Sequence, residues 1–274
     1  MTEKEFLVCY ESGISFFMEI YNLYKNFYKR DENNDNEKKE RENNTIFTLL
    51  SEDVLRECIA RGFAVRGYKV TAEVLYKNNK KGGSLDLLIT DEKEQNEKNK
   101  YYALELKIER DNTTTSSGIR EMISDAHRLI IDKENNYRKK IKDAQKYTVL
   151  LVDPKYIVEK SGYIWGREFY ETLLKSLDKN EGEELDCNEI CNKVEEIISK
   201  ESNNKSKNNK DEDKKNNDTE KWLDCSRKMK EIKLTIKQRT TITKIDDYKK
   251  IEIILFKCEK KETDNQKKDD TSNS

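Results

Sequence analysis

Charge set in the middle of apolar strands constrains this chain more than any other feature. Two segments, GGSLDLLITD at 82–91 and YYALELKIER at 101–110, interleave Leu, Ile, Ala and Tyr as closely as buried β-strands do. Yet the first carries Asp86 at its centre, and the second carries Glu105 and Lys107. Two explanations compete. Either these strands form an ordinary amphipathic sheet with the charges in water, or the charges gather around a cation.

Composition narrows the setting. Charged residues make up 40% of the 274 and apolar ones 34%, so the core must be concentrated in part of the chain. Lys and Arg number 54 and Asp and Glu 55, giving a net charge of −1; any nucleic-acid binding must then come from local patches, not a global field. No stretch approaches the ~20 apolar residues of a membrane span. Phe6-Leu7-Val8-Cys9, ahead of Glu11, is too short for a signal-peptide core. A soluble, intracellular protein with no membrane partner is therefore expected. The cysteines at 9, 58, 187, 191, 225 and 258 are scattered and expected to be reduced and packed. Cys187 and Cys191 lie four apart in a helical stretch, but no second pair at finger-like spacing accompanies them and His127 is the single histidine.

Periodicity sorts the chain into segments. Residues 5–29 predict a helix whose aromatic stripe (Phe16, Phe17, Ile20, Tyr21, Tyr24, Tyr28) reads as a packing face. The polar run to residue 44 reads as a linker, so 1–44 forms an N-terminal helix and its tether. A dense core follows over 45–160: a helix capped by Ser51, strands at 69–76, 84–90 and 101–109, a helix over 118–131, and a nearly all-apolar strand at 147–153. That last strand has the composition of a central strand covered on both faces. The order α-β-β-β-α-β predicts an α/β fold with a mixed central sheet. Beyond it come a helical extension over 161–200 containing Trp165, a disordered stretch at 201–220, a β-hairpin region at 221–262 and a polar tail at 263–274.

Period-2 alternation then places the charges. On the third strand Tyr102, Leu104, Leu106 and Ile108 share a core face, while Ala103, Glu105 and Lys107 share the other. Glu105 and Lys107 thus stand side by side, about 6.5–7 Å apart by strand rise. If the second and third strands pair as a hairpin, Asp86 comes beside Glu105. Two carboxylates so placed repel unless a cation lies between them. Mg²⁺ (or Mn²⁺) suits such a site, because it takes one or two carboxylates and keeps its waters. A neighbouring lysine can then position a water or stabilise charge on a phosphate.

The arrangement Asp86…Glu105-Leu106-Lys107 resembles the PD-(D/E)xK nuclease superfamily, which includes many restriction endonucleases and Holliday-junction resolvases. The resemblance covers roughly residues 45–155. It implies a restriction-endonuclease-like αβββαβ core and Mg²⁺-dependent cleavage of DNA. Asp86 matches the first acid, Glu105 the second and Lys107 the lysine; Leu106 would lend its backbone carbonyl to the metal. Leu85 stands where the motif's name has Pro, a position that varies widely among relatives. Such nucleases often carry a further acid on the first helix. Glu52 is the first candidate, since it falls on the helix side of Leu55 and Ile59, and Glu57, nearly opposite Leu55, ranks second. RNA would be cut by the same chemistry, and cutting both strands of a duplex usually requires two copies, so a homodimer is a natural partner state.

The triplet carries no weight by itself: about eleven acid-x-base triplets arise by chance in a chain with this many acids and bases. Glu231-Ile232-Lys233 is one, also opening an apolar strand. What separates 105–107 is context, namely a helix and an Asp-bearing strand before it and a helix and strand after it. Lys80, Lys81 and Arg120 are candidates for contacting DNA phosphates. So are the bases of 227–239: Arg227, Lys228, Lys230, Lys233, Lys237 and Arg239. Asp125 and His127 read as solvent-facing. The competing reading is a catalytically inactive module of the same fold, binding nucleic acid or assembling with a protein partner.

Overall fold

The computed structural model describes residues 1–28, 51–76, 83–96, 100–109, 117–131, 139–152, 175–203, 212–246 and 249–261. Lys80, Lys81, Trp165, the linker after α1 and the polar tail lie outside the described residues. The elements are helix α1 (Glu3–Tyr28), helix α2 (Glu52–Ala64), strands β1 (Lys69–Leu75), β2 (Ser84–Thr90) and β3 (Tyr101–Glu109), and helices α3 (Ser117–Ile131) and α4 (Lys139–Asp143). They are followed by strand β4 (Gln145–Val152), helices α5 (Cys187–Asn203) and α6 (Glu212–Met229), and strands β5 (Ile232–Asp246) and β6 (Lys249–Lys260). The architecture is mixed α/β, with a six-stranded mixed sheet in the order β1-β2-β3-β4-β6-β5.

The chain divides into two compact units, Met1–Ile108 with Glu134–Tyr147, and Glu109–Lys133 with Thr148–Ser274. The division runs through the expected 45–160 core instead of around it.

In the first unit, α2 starts where the sequence signals it. Ser51 Oγ accepts the Val54 N–H at 3.2 Å, and Glu52 and Asp53 place negative charge at the dipole's positive end. The helix ends at Ala64 with Val65 as its cap, and the turn after it reaches Gly67, whose φ of +84° suits a residue without Cβ and whose N–H donates to Ala64 O at 2.9 Å. Helices α1 and α2 meet backbone to backbone: a Cβ at Gly62 would sit 2.4 Å from Cys9 O, and one at Gly13 2.6 Å from Ile59 Cα. Below that crossing, Phe6 is wholly buried among Phe63, Tyr102 and Tyr147, with ring centroids 5.2, 5.1 and 4.3 Å away. Phe17 and Tyr21 are buried as the α1 stripe predicts, while Phe16 lies under the Arg61 guanidinium at 4.7 Å.

Strands β1, β2 and β3 are antiparallel, paired for example Ala72–Leu87 and Leu87–Leu104. β2 is buried from Leu85 to Thr90 and β3 from Tyr101 to Leu106, so both faces of these strands are covered. A water-facing side for Ala103 and Glu105 is thereby ruled out, since these residues are 0% and 2% exposed.

The second unit packs α3, α5 and α6 with the β5–β6 hairpin. Its core includes Ile119 and Met122 of α3, Ile190 and Val194 of α5, and Trp222, Cys225 and Met229 of α6. The expected disorder over 201–220 is corrected at its end: α6 is already helical from Glu212. The buried Trp222, Cys225 and Met229, at three- and four-residue spacing, anchor one face of the last turns, and the helix propagates backward from them into sequence that has no apolar signal of its own. All six cysteines are free and buried.

Candidate metal centre of the first unit

The candidate site is built by three elements of the first unit. β2 supplies Asp86, β3 supplies Glu105, Leu106 and Lys107, and the opening turns of α2 supply Glu52 and Arg56. The β2–β3 register, continued one residue past Leu87–Leu104, sets Asp86 opposite Glu105. Both acids are buried, at 8% and 2% exposure. Asp86 Oδ2 accepts the backbone N–H of Leu106 at 2.7 Å, a bond from the residue between Glu105 and Lys107.

Lys107 stands at the rim. Its Nζ lies 3.8 Å from Glu52 Oε1, with side chains 18% and 35% exposed. Glu52 is thus next to Lys107, whereas Glu57 is exposed. Asp86, Glu105, Lys107 and Glu52 are carried by β2, β3 and the start of α2, all in the first unit. Among the described residues no group of three or more His, Cys, Asp or Glu side chains converges as a metal-holding set. Two carboxylates and a backbone oxygen are nonetheless a hard-donor set that suits Mg²⁺, which completes its octahedron with water and substrate oxygens.

Arg56 and Glu73 enter the site without having been anticipated from sequence. Arg56 Nη1 lies 3.8 Å from Asp86 Oδ1, while its Nη2 donates to Asp53 Oδ1 at 2.8 Å and lies 3.5 Å from Glu73 Oε1. The Arg56 Nε is buried and has no hydrogen-bond partner. Glu73 takes a left-handed backbone, φ +51°, at the β1 position that the β1–β2 register sets opposite Asp86. Glu73 thus falls between the paired residues Ala72 and Val74, on the strand beside Asp86. A helical signal existed: Arg56 follows Glu52 by four residues, which puts both on one side of α2.

Other candidates are placed elsewhere. Arg120 lies on α3 in the second unit and is part-exposed. Asp125, expected in solvent, is 9% exposed and pairs with Arg128 at 2.8 Å; one turn of helix was enough to supply its cation. His127 keeps part of its surface, with Nε2 3.3 Å from Glu231 Oε2. The basic run of 227–239 is largely occupied within the protein. Lys228 pairs with Asp224 at 2.7 Å, Lys230 with Glu195 at 3.3 Å and Lys233 with Glu184 at 2.5 Å. Arg239 pairs with Glu252 at 2.7 Å and donates to the carbonyls of Leu177 and Lys179. Lys228, Lys230, Lys233 and Arg239 are thus committed to internal partners.

No described helix is long and apolar enough to cross a membrane. Comparison with protein-family models, curated proteins and solved structures returns no match to this chain.

Proposed function

We propose that the protein is a Mg²⁺-dependent endonuclease that hydrolyses DNA phosphodiesters through a PD-(D/E)xK-type site, in a restriction-endonuclease-like core. The observation that carries this reading is that Asp86 and Glu105, on the neighbouring strands β2 and β3, are both buried, to 8% and 2% exposure, with Asp86 bonded to the backbone between Glu105 and Lys107. Burying two acids on neighbouring strands is costly, and a cation held near them offsets that cost. The element order α2-β1-β2-β3-α3-α4-β4 is compatible with such a core, with the short α4 inserted before β4.

Asp86, Glu105 and the Leu106 carbonyl would hold the ion, and Mg²⁺ when bound supplies a more acidic water and charge neutralisation at the phosphate. The chain's own groups do the positioning. The Leu106 N–H fixes one carboxylate oxygen of Asp86, and the other lies 3.8 Å from Arg56 Nη1. The Lys107 ammonium, braced by Glu52, donates hydrogen bonds to the attacking water or to a phosphate oxygen.

A second reading, an inactive nuclease-fold module, is favoured by the Arg56 guanidinium that already lies beside Asp86. The deciding experiment is Mn²⁺ titration by calorimetry together with a plasmid-nicking assay, on wild type and Asp86→Ala. Binding and nicking that both vanish in the variant support the nuclease. Nicking that persists in Asp86→Ala removes the assignment.

A further inference from the structure

Arg56 brings a second cation, besides Lys107, to the site, and its setting is unusual in three ways. It touches carboxylates from three different elements: Asp53 on its own helix, Glu73 on β1 and Asp86 on β2. The two closer ones belong to exposed side chains, Asp53 at 78% and Glu73 at 66%, and the more distant one to the buried Asp86, at 11%. Its Nε is buried with no acceptor, so its hydrogen bonding is incomplete in this arrangement. Glu73 reaches the guanidinium from a left-handed backbone, a conformation that costs a non-glycine residue about 1–3 kcal/mol and is kept only where its surroundings enforce it.

We propose that Arg56 is an internal counter-ion that competes with a divalent cation for Asp86, with Glu73 and Asp53 as the pair that holds it when the cation enters. This rests on the metal-site reading of Asp86 and Glu105. With no divalent ion bound, the guanidinium 3.8 Å from Asp86 offsets part of the cost of burying that carboxylate. A divalent ion on the same carboxylates is repelled by the guanidinium, so the site binds its metal more weakly than its acids alone would. Because Glu73 and Asp53 already hold the other nitrogen, Arg56 can give up Asp86 without becoming an unpaired charge. Arg56 is a positioning residue in this scheme and touches no substrate.

The test is Mn²⁺ affinity by titration calorimetry on the full chain, read separately from nicking. Four proteins are compared: wild type, Arg56→Gln, Arg56→Lys and Glu73→Gln. Removing the charge in Arg56→Gln is expected to tighten Mn²⁺ binding about tenfold, a modest share of the repulsion between close charges. Arg56→Lys, which keeps the charge, should return to within about twofold of wild type, a rescue that a purely packing role would not give. Glu73→Gln, at an exposed position where folding is safe, should weaken binding a few-fold because Arg56 then leans on Asp86. Circular dichroism establishes that each variant is folded. If Arg56→Gln does not fold, the sign of the Glu73→Gln change decides alone.

Wild type that binds Mn²⁺ while Arg56→Gln binds no tighter overturns the inference and leaves the nuclease reading standing. So does Glu73→Gln binding as tightly as wild type. Wild type that does not bind, alongside Arg56→Gln that does, upholds the counter-ion and points to a site locked by its own arginine, against the nuclease reading. Failure of every folded variant to bind overturns both.

Discussion

The Leu106 backbone N–H donates to Asp86 Oδ2 across 2.7 Å, joining a carboxylate on β2 to the centre of the acid-x-lysine triplet on β3. One bond thus fixes the spacing of three chemical groups. It satisfies a buried donor, orients Asp86, and holds Glu105 and Lys107 at a constant offset from it.

Replacing Asp86 separates its two duties. Asp86→Asn can still accept from Leu106 but carries no charge, so the fold should persist while nicking and Mn²⁺ binding disappear. Asp86→Ala also strands the buried N–H, and should lower unfolding free energy by about 1–3 kcal/mol. Urea denaturation beside the nicking assay measures both. Equal stability for the two variants would mean that the Leu106 bond contributes nothing.

Lys107 and Glu52 should matter for activity far more than for stability. Their 3.8 Å contact is partly exposed and is worth about 0–1 kcal/mol. Lys107→Ala is therefore expected to abolish nicking with little change in Tm. Glu52→Gln should reduce nicking partially, because Lys107 loses its brace and not its charge. The rates are read on supercoiled plasmid, with Tm by calorimetry.

Gly62 is a purely architectural case. Its missing Cβ lets α1 and α2 approach until a methyl group would lie 2.4 Å from Cys9 O and from Gly13 N, both backbone atoms. Gly62→Ala should cost at least the ~1–3 kcal/mol typical of overpacking, even though alanine is the better helix former. Gly67→Ala, with nothing nearby, should cost only the strain of its φ of +84°. Chemical denaturation of the two variants checks the ranking.

The buried thiols impose a pH dependence on the alkaline side. Burial pushes Cys58 and Cys187 from the usual 9.0 up to about 11. Between those values the unfolded chain gives up thiol protons that the folded chain keeps, so the unfolded state binds fewer protons and stability falls as pH rises. Unfolding free energy should decline from pH 9 toward pH 11, and the decline should be shallower in Cys58→Ala and Cys187→Ala. The same two thiols should react slowly with alkylating reagents at pH 8 in the native state and rapidly in denaturant.

Much of the candidate site could be read from local pattern. Strand alternation placed Glu105 and Lys107 on one face, hairpin pairing brought Asp86 opposite Glu105, and the helical wheel chose Glu52 over Glu57. Each of these follows from a repeat of 2 or 3.6 residues along a short segment. Arg56 and Glu73 escaped because neither alternation nor capping says which strand a helix will cover, or which strand residue will adopt a left-handed φ. Asp125 was misread for a related reason, and the ion pairs within 227–239 were equally hidden. In a chain with 54 bases and 55 acids, which charges pair is decided by the elements that meet, and the composition is silent on that.

The extent of α6 shows the same limit from the other side. Residues 212–220 have no apolar periodicity, and their helix is an extension of turns held by Trp222, Cys225 and Met229.

By itself, then, the sequence determined the order of the strands and of helices α1, α2, α3 and α5, though not of α4 or α6, and which residues share a strand face, because backbone geometry repeats every two or 3.6 residues. Only the tertiary structure decided that both faces of β3 are covered, that Glu105 is buried, and that an arginine from α2 stands beside Asp86. Burial and ion pairing depend on which segments, tens of residues apart, come to share one surface.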